Sequence, residues 1–418
     1  GIQLVGNPGA ADPMQGVFTT AGSNFHVEVY ARDTQGDLTP NYGKESTPER
    51  VSLSHTLLAS GGSTRGVLSG SLAWESDAMF AGDYNWSEVG IISLHADVTD
   101  NDYLGAGNIT TTLSPVGRFT PHHFVVENYS LTPAMESFTY LDQAFTAHYD
   151  LRAVAADGNT TKNYQGNYNK LSINDDISYG AVNDPLGVAT SLTWRVSSNS
   201  AAFHWADGQA LLIDVPLTLA KAMSEDGPFS EVAVGLMVRD GDDVVLQSAA
   251  LDLDTEGPAD FDRQQLGSSE DFFYGRVYIP PEYGPEIPAG EASAIPFEIQ
   301  YWNGTAFVIN INDSTTHYDF WDELSCTSGT ASCSDVTLTT AVAPAVVMNG
   351  KSDRSSPVTI TRPGEGKTGG LTIQLNVDDW LEYDWENKDL DYQDPSAQIH
   401  FGLYRGHDRI IYWREVHH

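Results

Sequence analysis

The sequence predicts an all-β protein made of tandem β-sandwich modules, immunoglobulin-like in at least the first two. Three observations carry that expectation. Apolar and polar residues alternate in segment after segment with almost no helical period; turn-forming residues interrupt them at short intervals; and one stretch occurs twice.

The alternation is clearest in FHVEVYA (Phe25–Ala31), TAHYDLRAVA (Thr146–Ala155), EVAVGLMV (Glu231–Val238) and LTIQLNV (Leu371–Val377), each of which reads as a strand with one buried face. Turns such as DTQGD, AADGN, RDGDD and RPGEG separate such runs, which is the rhythm of antiparallel sandwiches. One departure from strand patterning is expected in Ala210–Asp226, where a helical turn or two is predicted.

The repeat aligns VEVYARDTQGDLTPNYG (Val27–Gly43) without gaps on YDLRAVAADGNTTKNYQ (Tyr149–Gln165), 122 residues later. The copies share Ala31 and Ala153, Gly36 and Gly158, Thr39 and Thr161, Asn41 and Asn163, and Tyr42 and Tyr164. Each is predicted to run from a strand through a glycine turn into the Asn-Tyr pair, whose tyrosine packs as a corner residue. A further strand then follows, VSLSH in one copy and KLSIN in the other. The offset, with a turn-rich LSPVGRFTPHH and a polar stretch at 253–271, divides the chain into three expected modules. These span residues 1–116 and 117–258, both immunoglobulin-like sandwiches, and 259–418, a C-terminal β-rich module.

Charge narrows the partners. With 57 Asp plus Glu against 21 Lys plus Arg, a formal charge of -36 repels nucleic acid and anionic lipid headgroups. Such a surface suits salt screening or divalent cations outside a cell. No apolar run is long enough to span a membrane, Gly1 reads as a cut end rather than a native start, and His417 and His418 read as the start of a purification tag. Any export element is expected upstream.

Only Cys326 and Cys333 are available, in CTSGTASC, and the six residues between them form a Ser/Gly/Thr loop that a local disulfide closes. The alternative is two reduced thiols, without the CxxC spacing of redox and zinc motifs. For ligand chemistry the best candidate is DVTDND, where Asp97, Asp100, Asn101 and Asp102 offer oxygens for calcium next to a module boundary; the competing reading is a solvated turn. Weaker acidic clusters lie in RDGDD with DLDTEG, and in WENKDLDYQD. His122 and His123 are adjacent on extended backbone, which points them to opposite faces and favours linker packing over a metal.

Catalytic signals are thin: the chain has no GxSxG and no HExxH. RPGEGKTGG (Arg362–Gly370) satisfies GxGxxG, but a phosphate loop needs a helix after its lysine. Here VTITR precedes and LTIQLNV follows, so a β-hairpin is expected. No enzyme is predicted. A carbohydrate-binding module or carbohydrate-active enzyme remains the alternative, with Trp302, Trp321 or Trp380 stacking on sugar rings.

Several stretches in this order resemble a known family: WSEVGIISLHADVTDNDYLGAG, GRFTPHHFVV, YLDQAFTAHYDLRA with KNYQGNYNKL, PFEIQYWNGTAFVININD, WLEYDW and the closing FGLYRGHDRIIYWREV. The family is the C-terminal region of the MSHA pilus biogenesis protein MshQ and its relatives in marine and aquatic Gram-negative bacteria, itself a region of unknown function. The resemblance implies a secreted or outer-surface component of a type IV pilus, a tip or surface adhesin, with pilus subunits or surface glycans as partners; an outer-membrane assembly factor is a second alternative. It transfers no catalytic residue. Where relatives place an early cysteine after the IND-type segment this chain reads INDSTTHYDFWDELSC, so the resemblance does not set its cysteine pairing.

The closing stretch is the most basic and aromatic of the chain. Ile399, Phe401 and Leu403, the RGHD turn, and Ile411 with Trp413 predict a sheet-completing hairpin over residues 399–416, its arginines acting as internal counterions.

Overall fold

In the computed structural model the described residues are 1–403 except 77, 173, 184–189, 200–204, 248–262, 319–321, 340–344, 356 and 387–390. All regular structure among them is strand, apart from four single-turn 3-10 helices. The fold is all-β. The chain packs as two compact units: Gly1–Thr132 with Phe145–Leu217 and Ala233–Ser269, and Pro133–Ala144 with Thr218–Val232 and Glu270–His418.

The first unit opens with a sandwich. One sheet orders Ile2–Leu4, Phe25–Tyr30, Met79–Trp86 and Leu68–Gly70; the facing sheet orders Thr19–Thr20, Thr110–Thr120, Gly90–Val98 and Val51–Ala59. The period-two pattern explains the choice of faces. Along Phe25–Tyr30 the residues Phe25, Val27 and Val29 are buried while His26 is exposed, and each such apolar side chain contributes about 1.5–3 kcal/mol on burial. They meet Trp86, Ile92, Leu94 and Phe119 from both sheets in one core, with the Trp86 and Phe119 rings 5.0 Å apart edge to face.

A second sheet, whose strands lie mainly in this unit, repeats the first. His123–Thr132, the strand Ala144–Val154, Gln209–Leu219 and Val196–Ser198 follow the same order as the sheet that begins at Ile2. The backbone hydrogen bonds of the turn recur in both copies. Thr39 N donates to Ala31 O (3.1 Å) and Thr161 N to Ala153 O (2.9 Å); Gly36 N donates to Asp33 O (3.1 Å) and Gly158 N to Ala155 O (2.9 Å). Gly36 and Gly158 both take the left-handed φ that the turn requires, 92° and 83°.

Three expectations are corrected in this region and beyond. VSLSH lies in a strand, but the described residues of KLSIN do not: the Asn169 side chain accepts from Leu171 N (2.9 Å), and Asp175 and Asp176 accept from Ser172, so local side-chain bonds replace the ladder there, and the next strand begins at Ile177. Ala210–Asp226 begins as strand rather than helix, with Val215, Leu217 and Leu219 buried at every second position and Pro216 between them. RPGEGKTGG is not a hairpin, because Val358–Thr361 and Gly369–Leu375 belong to different sheets and the loop turns the corner between them. The phosphate-loop reading still fails, since a strand begins at Gly369.

The second unit is built around a core of Tyr140, Val277, Phe297, Ile299, Ile360, Leu371, Ile373, Ile399 and Phe401. Its four-stranded sheet orders Glu282–Gly284, Ser396–Phe401, Gly369–Leu375 and Asp322–Gly329, which makes Ser396–Phe401 an inner strand. Ile399 and Phe401 are buried and Leu403 is 46% exposed. The rest of the expected C-terminal hairpin lies outside the described residues. The IND segment is structural here: Asp313, fully buried, accepts from Tyr140 OH (2.8 Å), Thr316 Oγ1 (2.6 Å) and Thr316 N (3.0 Å).

Candidate functional site

The most elaborate polar arrangement in the first unit joins its two repeats. Trp86, fully buried in the first sandwich, donates its indole N–H to Arg65 O (3.1 Å), which fixes the loop 60–66. That loop meets the second copy of the Asn-Tyr pair. Asn163 Nδ2 donates to Thr64 O (2.7 Å), and Thr64 N donates back to Asn163 Oδ1 (2.9 Å). The backbones approach so closely that a Cβ on Gly61 would lie 1.8 Å from Gln165 O, so only glycine fits.

Beside this pair, the carboxylate of Glu88 is 3% exposed and accepts from Lys162 N (3.0 Å) and Asn163 N (3.1 Å). Burial pushes its carboxyl up from the ordinary value, against the pull of those amide donors. On the other side, Arg118 holds Asp242 through two bonds of 2.5 and 2.7 Å and donates from Nε to Gln15 O (3.0 Å). Arg118 is buried and Asp242 largely so, with side chains 5% and 10% exposed. Asp242 is placed by a turn folded around Asp240. The Asp240 carboxylate accepts from Asp242 N (2.9 Å), Val244 N (3.0 Å) and Tyr164 OH (2.7 Å), and burial raises its carboxyl.

The repeat therefore signalled more than the corner packing predicted for its tyrosine. Tyr164 is fully buried and hydrogen-bonded, and Asn163 beside it is the centre of the joint. Glu88, Arg118, Asp242 and the Gly61–Gly62 pair carried no local signal. Their partners lie more than 70 residues away, as with Glu88 and Asn163 at 75.

The candidate calcium loop is closed on itself. Asn108 Nδ2 donates to Asp97 Oδ1 (3.0 Å) and Asn101 Oδ1 (3.3 Å), Asp100 Oδ1 accepts from Asp102 N (3.1 Å), and Asp102 Oδ1 accepts from Gly107 N (2.8 Å). Asp100 and Asp102 also rim a surface groove of about 480 Å³ with Glu45, Glu49 and Arg50. Among the described residues no three His, Cys, Asp or Glu side chains gather as a metal would need. Asp240 and Asp242 of RDGDD serve the joint; DLDTEG and part of WENKDLDYQD lie outside the described residues. His122 and His123 do not diverge as the extended backbone suggested: their Nδ1 atoms lie 2.9 Å apart. Burial lowers the His123 imidazole from its ordinary value.

In the second unit, cations sit among aromatic rings. The Arg276 guanidinium lies 3.6 Å from the Phe307 ring centre, 4.9 Å from Tyr383 and 5.0 Å from Trp385, and donates to Gln300 Oε1 from Nε (3.1 Å) and Nη2 (2.9 Å). Lys221 Nζ donates to Glu382 O (3.0 Å) and lies 5.2 Å from each of the Tyr274 and Tyr392 rings. Burial pulls its ammonium down to about 8. Of the tryptophans considered for sugars, Trp302 packs edge to face on Phe307 at 5.4 Å and Trp380 packs on the core, while Trp321 lies outside the described residues. Cys326 and Cys333 are joined in a disulfide.

The fold and these joints define a tandem β-sandwich protein. Three consecutive models of one family match nearly end to end: DUF6701 second domain over residues 3–86, third domain over 88–267 and fourth domain over 273–416. The chain belongs to the DUF6701 family. The boundary near residue 87 falls inside the first sandwich, since Gly90–Val98 pairs with Val51–Ala59. Among solved structures it is similar to the titin immunoglobulin domains I67–I69 in an E-to-A variant, at 8% identity and TM-score 0.26 over 92% of this chain and 95% of that one. It is also similar to InvD of Yersinia pseudotuberculosis, at 12% and 0.24 over 85% and 89%. A third is invasin, a bacterial integrin-binding protein, at 11% and 0.22 over 96% and 60%. No curated protein matches.

Proposed function

We propose that this chain is a non-catalytic structural and adhesive component outside a Gram-negative cell, part of a MSHA-type pilus, where its sandwiches present a binding surface and carry load. The observation behind the reading is the joint. Glu88, Thr64 and Arg118 lock the first sandwich to Asn163 and Asp242 of the second with buried and half-buried, directional bonds. A chain that hands force from one module to the next needs such a connection more than it needs a cleft. The disulfide in a two-cysteine chain fits an oxidising compartment.

Immunogold labelling of isolated pili tests the proposal. Label along or at the tips of the fibres supports it, and loss of surface attachment on deleting the gene, with pili still assembled, supports the adhesive part. Label confined to the cell envelope favours an assembly factor instead.

A further inference from the structure

The two copies of the repeat share the backbone hydrogen bonds of their glycine turn and differ in what covers them. In the second, Ala153, Ala155, Thr161, Asn163 and Tyr164 are all fully buried. Part of that cover is the preceding sandwich, since Ala156 N donates to Ala21 O (2.9 Å) and Thr64 and Glu88 close over Asn163. In the first, the counterparts Asp33 and Asn41 are exposed and Ala31 and Thr39 half-buried; of the corresponding five only Tyr42 is buried. The Asn41 side chain makes no hydrogen bond among the described residues. The neighbouring Tyr42 lines a pocket of about 280 Å³ together with Gly1, Arg32, Thr39, Asp97 and Tyr103.

We propose that this end of the first sandwich, centred on Asn41 and Tyr42, is a docking face for another β-sandwich module of the same build, carried ahead of residue 1 in a longer chain. Its trailing loops supply an amide and carbonyl to the Asn41 side chain and a carboxylate to the Asn41 N–H, as Thr64 and Glu88 do for Asn163. Three observations favour that occupant. The strands that open the two copies, Ile2–Leu4 and His123–Thr132, both pair antiparallel with the repeat strand, so a module ahead of residue 1 arrives at the same edge as the first sandwich does on the second. Gly1 itself lines the pocket. The matched family models run second, third and fourth in chain order, so the family's own numbering puts a domain before the first sandwich. One donor differs: Pro40 stands where Lys162 gives its N–H to Glu88, and Arg32 provides a cation on this face instead.

The test compares hydrogen exchange in the 418-residue chain with that in the natural chain extended upstream by one module. Residues 31–44 are read against 153–166 as the internal reference. Docking slows exchange in 31–44 by about tenfold or more in the longer chain and leaves the reference unchanged. Asn41→Ala then restores fast exchange there without altering the melting of the 418-residue chain. Equal exchange of residues 31–44 in the two chains overturns the proposal, and so does slowing that depends on the concentration of the 418-residue chain alone, which assigns the face to a second copy.

Discussion

The joint in the first unit and the cation cluster in the second both bury charge in a strongly acidic protein, by opposite means. At the joint, Glu88 and Asp240 are held by backbone N–H groups and Asp242 by a two-pronged arginine, all directional bonds with donors at 2.5–3.1 Å. In the second unit, Lys221 and Arg276 rest on ring faces, with Glu382 O and Gln300 Oε1 among the oxygens that receive their N–H groups. A directional network fails when one member is removed, because the rest are left buried and unpaired. A cation on aromatic faces can be replaced by an apolar chain of similar length with little left unsatisfied.

The largest effect is expected at Arg118. Arg118→Met strands the Asp242 carboxylate and is expected to cost about 3–5 kcal/mol. Adding Asp242→Leu should recover much of that loss; chemical denaturation of the single and double variants checks both. Glu88→Ala leaves the amides of Lys162 and Asn163 without their acceptor and is expected to cost about 2–4 kcal/mol in the same assay.

In the second unit the informative change is Lys221→Met. Its folded ammonium releases a proton at about 8, against an ordinary 10.5. Between those values the unfolded chain still holds the proton that the folded chain has lost, so stability rises with pH across that window. The variant should lose this rise and be no less stable than the parent at neutral pH, as read by melting temperature from pH 7 to 10.5. Smallest of all is Asp102→Ala, which removes the exposed loop bond to Gly107 N and should shift stability by about 1 kcal/mol or less.

What was legible in the sequence was local or repeated. Alternation in FHVEVYA located a strand and its buried face, and the register of the repeat set Ala31 and Ala153 at equivalent positions, where their carbonyls accept equivalent hydrogen bonds. Segments decided by competition were not legible. KLSIN alternates like a strand, but Asn169, Asp175 and Asp176 take its amide and hydroxyl groups. RPGEGKTGG has hairpin chemistry, yet which sheet each flanking strand joins depends on Ala292–Ile295 and Ser396–Phe401, which lie outside the motif. The joint was the least legible. A lone glutamate after a tryptophan says nothing of an asparagine 75 residues on, although the recurrence of that asparagine in both copies was the available clue.

With the joint intact, the two repeats of the first unit behave as one body. Site-resolved native-state hydrogen exchange measures it directly, with the amides of Lys162 and Asn163 compared with core amides such as Val27 and Leu151. The joint amides are expected to open only with the sandwiches they connect, at the same free energy. Exchange at the joint as fast as in the exposed loop at Asp100–Asp102, with both cores still protected, would contradict it.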